Sequence, residues 1–175
     1  MKKYDEFYEN TSEECESKDE RVKSVMAAAS NILVFADNTE KSLREKLERR
    51  GFDGDTVSAA VDKLKEAGLI NDARLINSVT EYLAEKKLYG KARIRLELQK
   101  RGFDKRLVDD KLDECVSDVD FGENCLKLMR KKRLIDKIRD SKTARSVTAA
   151  LARYGYGYAE IKYAYTRLLE EDEEE

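Results

Sequence analysis

The chain has 175 residues, of which 41% are apolar and 41% charged; it is long enough to bury a core, and no stretch approaches the roughly 20 apolar residues that a bilayer span needs. Histidine, proline and tryptophan are absent, which excludes histidine bases, triads and metal ligands and suits helices joined by short turns. The net charge of −2 hides a partition: residues 1–20 carry eight acids and three bases, 170–175 carry six acids, and 21–169 carry 23 acids and 32 bases.

In chain order, residues 1–19 are expected to form an acidic, disordered tail. The start MKKYDEFYEN has no apolar segment behind its lysines, so no secretory signal is expected. A leading helix is expected over 20–36. A repeat follows, punctuated by Gly51, Gly102 and Gly155, with spacings of 51 and 53 residues. Leu43 and Leu47, Ile94 and Leu98, and Val147 and Leu151 stand eight and four residues before these glycines. Phe52, Phe103 and Tyr156 stand one after; Val57, Val108 and Ile161 six after; Val61, Leu112 and Tyr165 ten after; Leu64, Cys115 and Leu168 thirteen after. Steps of three and four describe amphipathic helices. Each glycine closes a first helix in a left-handed backbone, and the aromatic folds back onto that helix.

Thr39, Gly90 and Thr143 precede the glycines by twelve residues; the threonines suit N-caps and Gly90 is a weaker one. The expected organisation is repeat 1 over 39–89, repeat 2 over 90–139 and a two-helix repeat 3 over 141–169, followed by the acidic tail 170–175. Third helices are expected over about 71–87, capped by Asn71 or Asp72 with Leu75, Ile76, Val79, Tyr82 and Leu83 on one face, and over about 119–133, with Phe121, Cys125, Leu128 and Met129. No strand pattern appears. The fold class expected is all-α, with tandem three-helix, helix-turn-helix-like units forming a short, elongated, curved array in which neighbours bury each other's faces.

The cysteines Cys15, Cys115 and Cys125 make no Cys-x-x-Cys pair, so neither a disulfide framework nor a zinc site is expected. Cys115 and Cys125 read as small core fillers, and the reducing cytosol is the expected compartment.

Residues 86–104 read KKLYGKARIRLELQKRGFD. The run YGKARIR, then EL and KRG, resembles the signature of the RecX family. The segment EAGLINDARLINSVTEYL at 66–83 resembles the stretch that precedes it there. The resemblance covers about 22–170 and is most specific over 64–112. It implies a non-catalytic, cytoplasmic regulator of homologous recombination, DNA repair and the SOS response. Such proteins bind RecA recombinase filaments on DNA, in the filament groove and across more than one protomer. They mostly inhibit ATPase, strand exchange and filament growth, and some bind single- or double-stranded DNA weakly. The acidic tails depart from that pattern. A helical scaffold for another acidic protein and a direct nucleic-acid-binding module are the alternatives. A monomer is expected, with no membrane partner.

Candidate partner-binding residues follow from the basic body. Lys91, Arg93 and Arg95 sit in the first turns of a helix, where the macrodipole disfavours cations; either an interface or a solvated surface accounts for them. Lys100 and Arg101 end that helix. Arg130, Lys131, Lys132 and Arg133 end a later one, where the dipole favours them; they read as helix decoration or as a patch for acidic protein or phosphate. Tyr154, Tyr156, Tyr158, Tyr163 and Tyr165 suggest either packing or a stacking platform. Asp109, Asp110, Asp113, Glu114, Asp118 and Asp120 read as a solvated acidic face. No catalytic, cofactor or metal site is expected.

Overall fold

The computed structural model describes the backbone of residues 2–174 and the side chains of residues 18–173. Among these residues the regular elements are ten helices: α1 (Lys2–Phe35), α2 (Glu40–Glu48), α3 (Gly54–Glu66), α4 (Asp72–Glu85), α5 (Lys91–Lys100), α6 (Lys105–Cys115), α7 (Phe121–Lys131), α8 (Ile135–Arg139), α9 (Ser141–Arg153) and α10 (Tyr158–Glu174). None is long and apolar enough to cross a membrane. The fold is all-helical, as the 3.6-residue pattern requires.

The three punctuating glycines lie in one setting. Their φ values are 90°, 90° and 94°. Behind each, the aromatic N–H reaches back five residues: Phe52 to the Leu47 carbonyl at 3.4 Å, Phe103 to Leu98 at 3.2 Å and Tyr156 to Leu151 at 3.3 Å. The glycine N–H groups bond three residues back, to Glu48, Gln99 and Ala152. This is the Schellman closure, and it satisfies the carbonyls left over at the ends of α2, α5 and α9.

N-caps set the helix starts. Thr39 accepts from the Ser42 N–H at 3.1 Å, while Gly90 offers no side-chain cap. Asp53 and Asp104 cap α3 and α6. Thr143 is not the cap of α9: Asp140 is, accepting from the Lys142 and Thr143 N–H groups. A carboxylate accepts two such bonds better than a hydroxyl. Of the two residues expected as alternatives for the cap of that third helix, Asn71 takes the role and Asp72 serves a different helix. Asn71 caps α4 through the Arg74 N–H at 2.9 Å, and Asp72 accepts from the Glu40 N–H at 3.0 Å, at the start of α2.

The chain divides into two compact units, 1–75 and 76–175. In the first, α1, α2 and α3 pack together around Val25, Ala29, Leu43, Leu47, Val61 and Leu64. In the second, α7 lies along α10, which also meets α8 and α9, around Leu126, Met129, Leu151, Ile161 and Leu168; α5 packs on α6, with Ile94, Leu98, Val108 and Leu112 buried. Helices therefore group as α1–α2–α3 and as α7 with α9 and α10. That is one helix earlier than the phase expected from 39–89, 90–139 and 141–169.

Several expectations change. Helix α1 begins at Lys2, so the helix expected at 20–36 is the C-terminal part of a longer one. The tail expected over 1–19 lies, but for Lys18 and Asp19, outside the residues whose side chains are described, as does Cys15. The C-terminal acids continue α10 as far as Glu174 rather than forming a disordered tail. Tyr82 is exposed and Tyr165 only half-buried, its hydroxyl bonded to Thr148 and to the Ala144 carbonyl. Cys115 is partly exposed, its thiol donating to Asn77.

Cys125 is fully buried, and burial pushes its thiol up to about 12. The folded value therefore lies above the ordinary thiol value of about 8.5. Its contribution to stability is complete below that lower value and is lost as pH rises towards the folded one. Ellman's reagent is expected to leave Cys125 unmodified in the native protein at pH 8 and to label it once denaturant is added. Labelling at equal rates in both states would contradict this packing.

Candidate functional site

All nine candidate residues fall in the second unit. Those on α5 are largely engaged within the fold. Lys91 pairs with Asp113 at 3.0 Å, and Arg95 pairs with Asp109. Both acids are on α6, so two members of the expected acidic face neutralise cations at the unfavourable end of the α5 dipole. Arg93 and Lys100 both reach Glu97, at 2.7 and 3.5 Å. Arg101 closes α5 as its C-cap. The four α5 cations are thus faced by three carboxylates, Glu97 being shared by Arg93 and Lys100, so most but not all of the positive charge of α5 is balanced within the fold.

The turn before α5 is gripped by the third repeat. Gly90 N–H donates to the Tyr154 carbonyl at 2.8 Å, and the Tyr156 hydroxyl donates to the Leu88 carbonyl at 2.8 Å. The backbones approach so closely that a Cβ on Gly90 would stand 2.2 Å from the Gly155 oxygen. Between these two hydrogen bonds stands Tyr89. Its ring meets Tyr154 edge to face, with centroids 5.8 Å apart. The Arg93 guanidinium lies over Tyr89 at 5.5 Å, and the Lys132 ammonium over Tyr154 at 5.0 Å. A stripe Arg93–Tyr89–Tyr154–Lys132 thus joins the two basic clusters, which lie 39 residues apart in the chain. Each cation is held by the negative face of a ring.

Beyond Lys132, Arg133 has a left-handed backbone, with φ 50°. Its N–H bonds Arg130 and the Leu134 N–H bonds Met129, so it closes α7 in the manner of the three glycines. An L-residue there costs about 1–2 kcal/mol relative to glycine. Arg130 bonds Glu171 on α10, Nε to Oε2 at 2.9 Å, and Arg139 pairs with Asp172. The Arg130 guanidinium holds the Glu171 carboxyl below the usual carboxylate range. Among the described residues Lys131 and Arg133 make no salt bridge.

Of the five tyrosines considered in the sequence as a platform, Tyr154 alone joins this stripe. Tyr156 is buried, Tyr158 exposed, Tyr163 bonded to Glu123 and Tyr165 bonded to α9. Tyr89, Lys137 and Arg139 were not singled out from sequence. Charge density signalled the last two, since 127–145 carries nine bases and two acids. Tyr89 carried the same mark as Tyr154: each immediately precedes a glycine.

The family model described as "RecX, first three-helix domain" matches residues 26–64, the end of α1 through α3. "Regulatory protein RecX" of Clostridioides difficile (strain 630) is 31% identical over 146 residues, covering 83% of this chain and 68% of that protein. Its namesake from Pseudomonas entomophila (strain L48) is 31% identical over 133 residues, covering 76% of this chain and 84% of that protein. The crystal structure of RecX from Lactobacillus salivarius matches with a TM-score of 0.71 at 24% identity, over 85% of this chain and 97% of that one. The last comparison speaks to the fold.

Proposed function

The chain belongs to the RecX family of regulatory proteins, and from that premise we propose that it binds RecA recombinase filaments on DNA and modulates them, chiefly by inhibiting ATPase, strand exchange and filament growth. It acts as a monomer in the cytoplasm, within recombinational repair and the SOS response. The observation that supports this reading is the stripe Arg93–Tyr89–Tyr154–Lys132, continued by Lys131 and Arg133. Interleaved cations and aromatics suit a surface of acidic protein and phosphate. A filament repeats its protomers, so modest contacts that reach adjacent copies gain avidity.

Lys91, Arg95 and Lys100 support the surface through their pairs with α5 and α6 acids, Arg101 closes α5, and Arg93, Lys131, Lys132 and Arg133 make the docking contacts. The experiment is a titration of this protein into RecA ATPase on single-stranded DNA. Activity is expected to fall as the protein is added. An unchanged rate at stoichiometric protein removes the proposal.

A further inference from the structure

The acidic end of the chain sits on the most basic stretch of its own unit. Residues 127–145 carry nine bases and two acids, and 170–175 carry six acids and no base. In the structure the two meet at two points, Arg130 with Glu171 and Arg139 with Asp172. Beside them lies a cavity of about 480 Å³, lined by Arg130, Arg133, Leu134, Ile135, Glu171 and Asp172 among others. A guanidinium fork receives the two oxygens of a carboxylate and of a phosphate in the same geometry. The α10 carboxylates therefore occupy positions that phosphate oxygens would take.

We propose that the end of α10 is a built-in competitor: Glu171 and Asp172 stand in for backbone phosphates on Arg130 and Arg139, and a DNA strand displaces them when this face docks. The inference rests on the reading of 130–133 as a partner-binding face, and deepens it by naming the ligand chemistry and a restraint on it.

Three observations favour a DNA strand over a lone acidic side chain as the displacing ligand. The excess of positive charge extends well beyond the two paired arginines, and only a polyanion engages all of it. The paired arginine side chains are 44% and 52% exposed, so a strand reaches them without opening the core. Arg133 borders the same cavity in a backbone that favours glycine, so a third guanidinium is kept there at the expense of stability. Exposed pairs are weak, so the restraint is a bias that a strand overcomes rather than a lock.

The test uses the full chain and a fluorescein-labelled oligothymidylate, read by anisotropy at low salt. Glu171→Gln with Asp172→Asn is expected to tighten binding about fivefold, the scale of two exposed ion pairs, and the difference should vanish as salt screens both. Adding Arg130→Gln and Arg139→Gln should weaken binding and abolish the gain from the acid substitutions, the mark of direct coupling. Helix content by circular dichroism should be unchanged in all variants. Equal or weaker DNA binding by the acid variant overturns the proposal, as does a gain that survives loss of both arginines. A gain towards oligoglutamate but not DNA overturns the assignment of the ligand. Inhibition of RecA ATPase by the unaltered protein is read separately, so the failure of this inference leaves the proposed function standing, and the two failures are distinguishable.

Discussion

Gly155→Ala is expected to destabilise residues 76–175 by about 3 kcal/mol or more, the sum of a left-handed backbone forced on an L-residue and a steric conflict that backbone atoms cannot relieve. The added Cβ would stand 2.3 Å from the Arg93 nitrogen and 2.8 Å from the Gly90 oxygen. These are backbone atoms in the turn that starts α5, so relief requires the third repeat to retreat from α5. Gly90→Ala separates the two contributions. Its φ is an ordinary −73°, so only the conflict with Gly155 remains, about 2 kcal/mol. Gly51→Ala isolates the other one: its φ is 90°, but nothing lies within 4 Å of the added Cβ, so about 1–2 kcal/mol is expected. Denaturant unfolding gives the energies, and hydrogen exchange across α5 and α9 localises them. If Gly155→Ala is no worse than Gly51→Ala, the two glycine turns do not meet in solution.

The second large effect concerns the partner. Arg93→Glu, Lys132→Glu and Arg133→Glu together are expected to weaken RecA inhibition on the order of 100-fold, at roughly 1 kcal/mol for each reversed charge in an exposed interface. Lys91→Ala and Arg95→Ala are expected to change it about threefold or less, because their charges are already balanced by Asp113 and Asp109 and exposed pairs contribute little. Arg133→Gly is the diagnostic single change. It should raise stability by about 1 kcal/mol, since glycine is at home in the left-handed turn, while weakening inhibition. Half-maximal inhibition in the ATPase titration, beside a melting curve for each variant, gives both quantities. Equal losses from the Lys91 and Arg95 changes and from the triple charge reversal would mean the docking surface lies elsewhere on the unit.

Most of the local structure was legible because it is written in short-range chemistry. A residue eight or four before a glycine lies on the buried stripe of the helix that glycine ends, and those six positions are all buried. The aromatic after each glycine bonds back to the same helix, since the turn has one low-energy way to satisfy its carbonyls. The grouping of helices was not legible. A chain that repeats about every 51 residues has the same pattern wherever counting begins, and only packing shows that α1 belongs with α2 and α3.

The candidate surface was half legible. Charge marked Lys91, Arg93 and Arg95 as out of place at the start of a helix; it did not show that α6 carries Asp109 and Asp113 to within reach of two of them. Nor did it show which tyrosine faces a cation, because ring contacts at Tyr89 and Tyr154 depend on the meeting of two turns far apart in sequence.

By itself the sequence determined the all-helical class, the three glycine closures, the buried stripes and the family, for each depends on residues within a few turns of one another or on their linear order. Tertiary structure alone decided that Gly90 and Gly155 touch, that Tyr89 and Tyr154 bridge the two basic clusters, and that the last acids of α10 rest on Arg130 and Arg139. The physical reason is that an ion pair, a ring contact or a close backbone approach is a matter of a few ångströms between segments tens of residues apart. Which segments come that close is settled by how the buried stripes pack, and not by any residue's own preference.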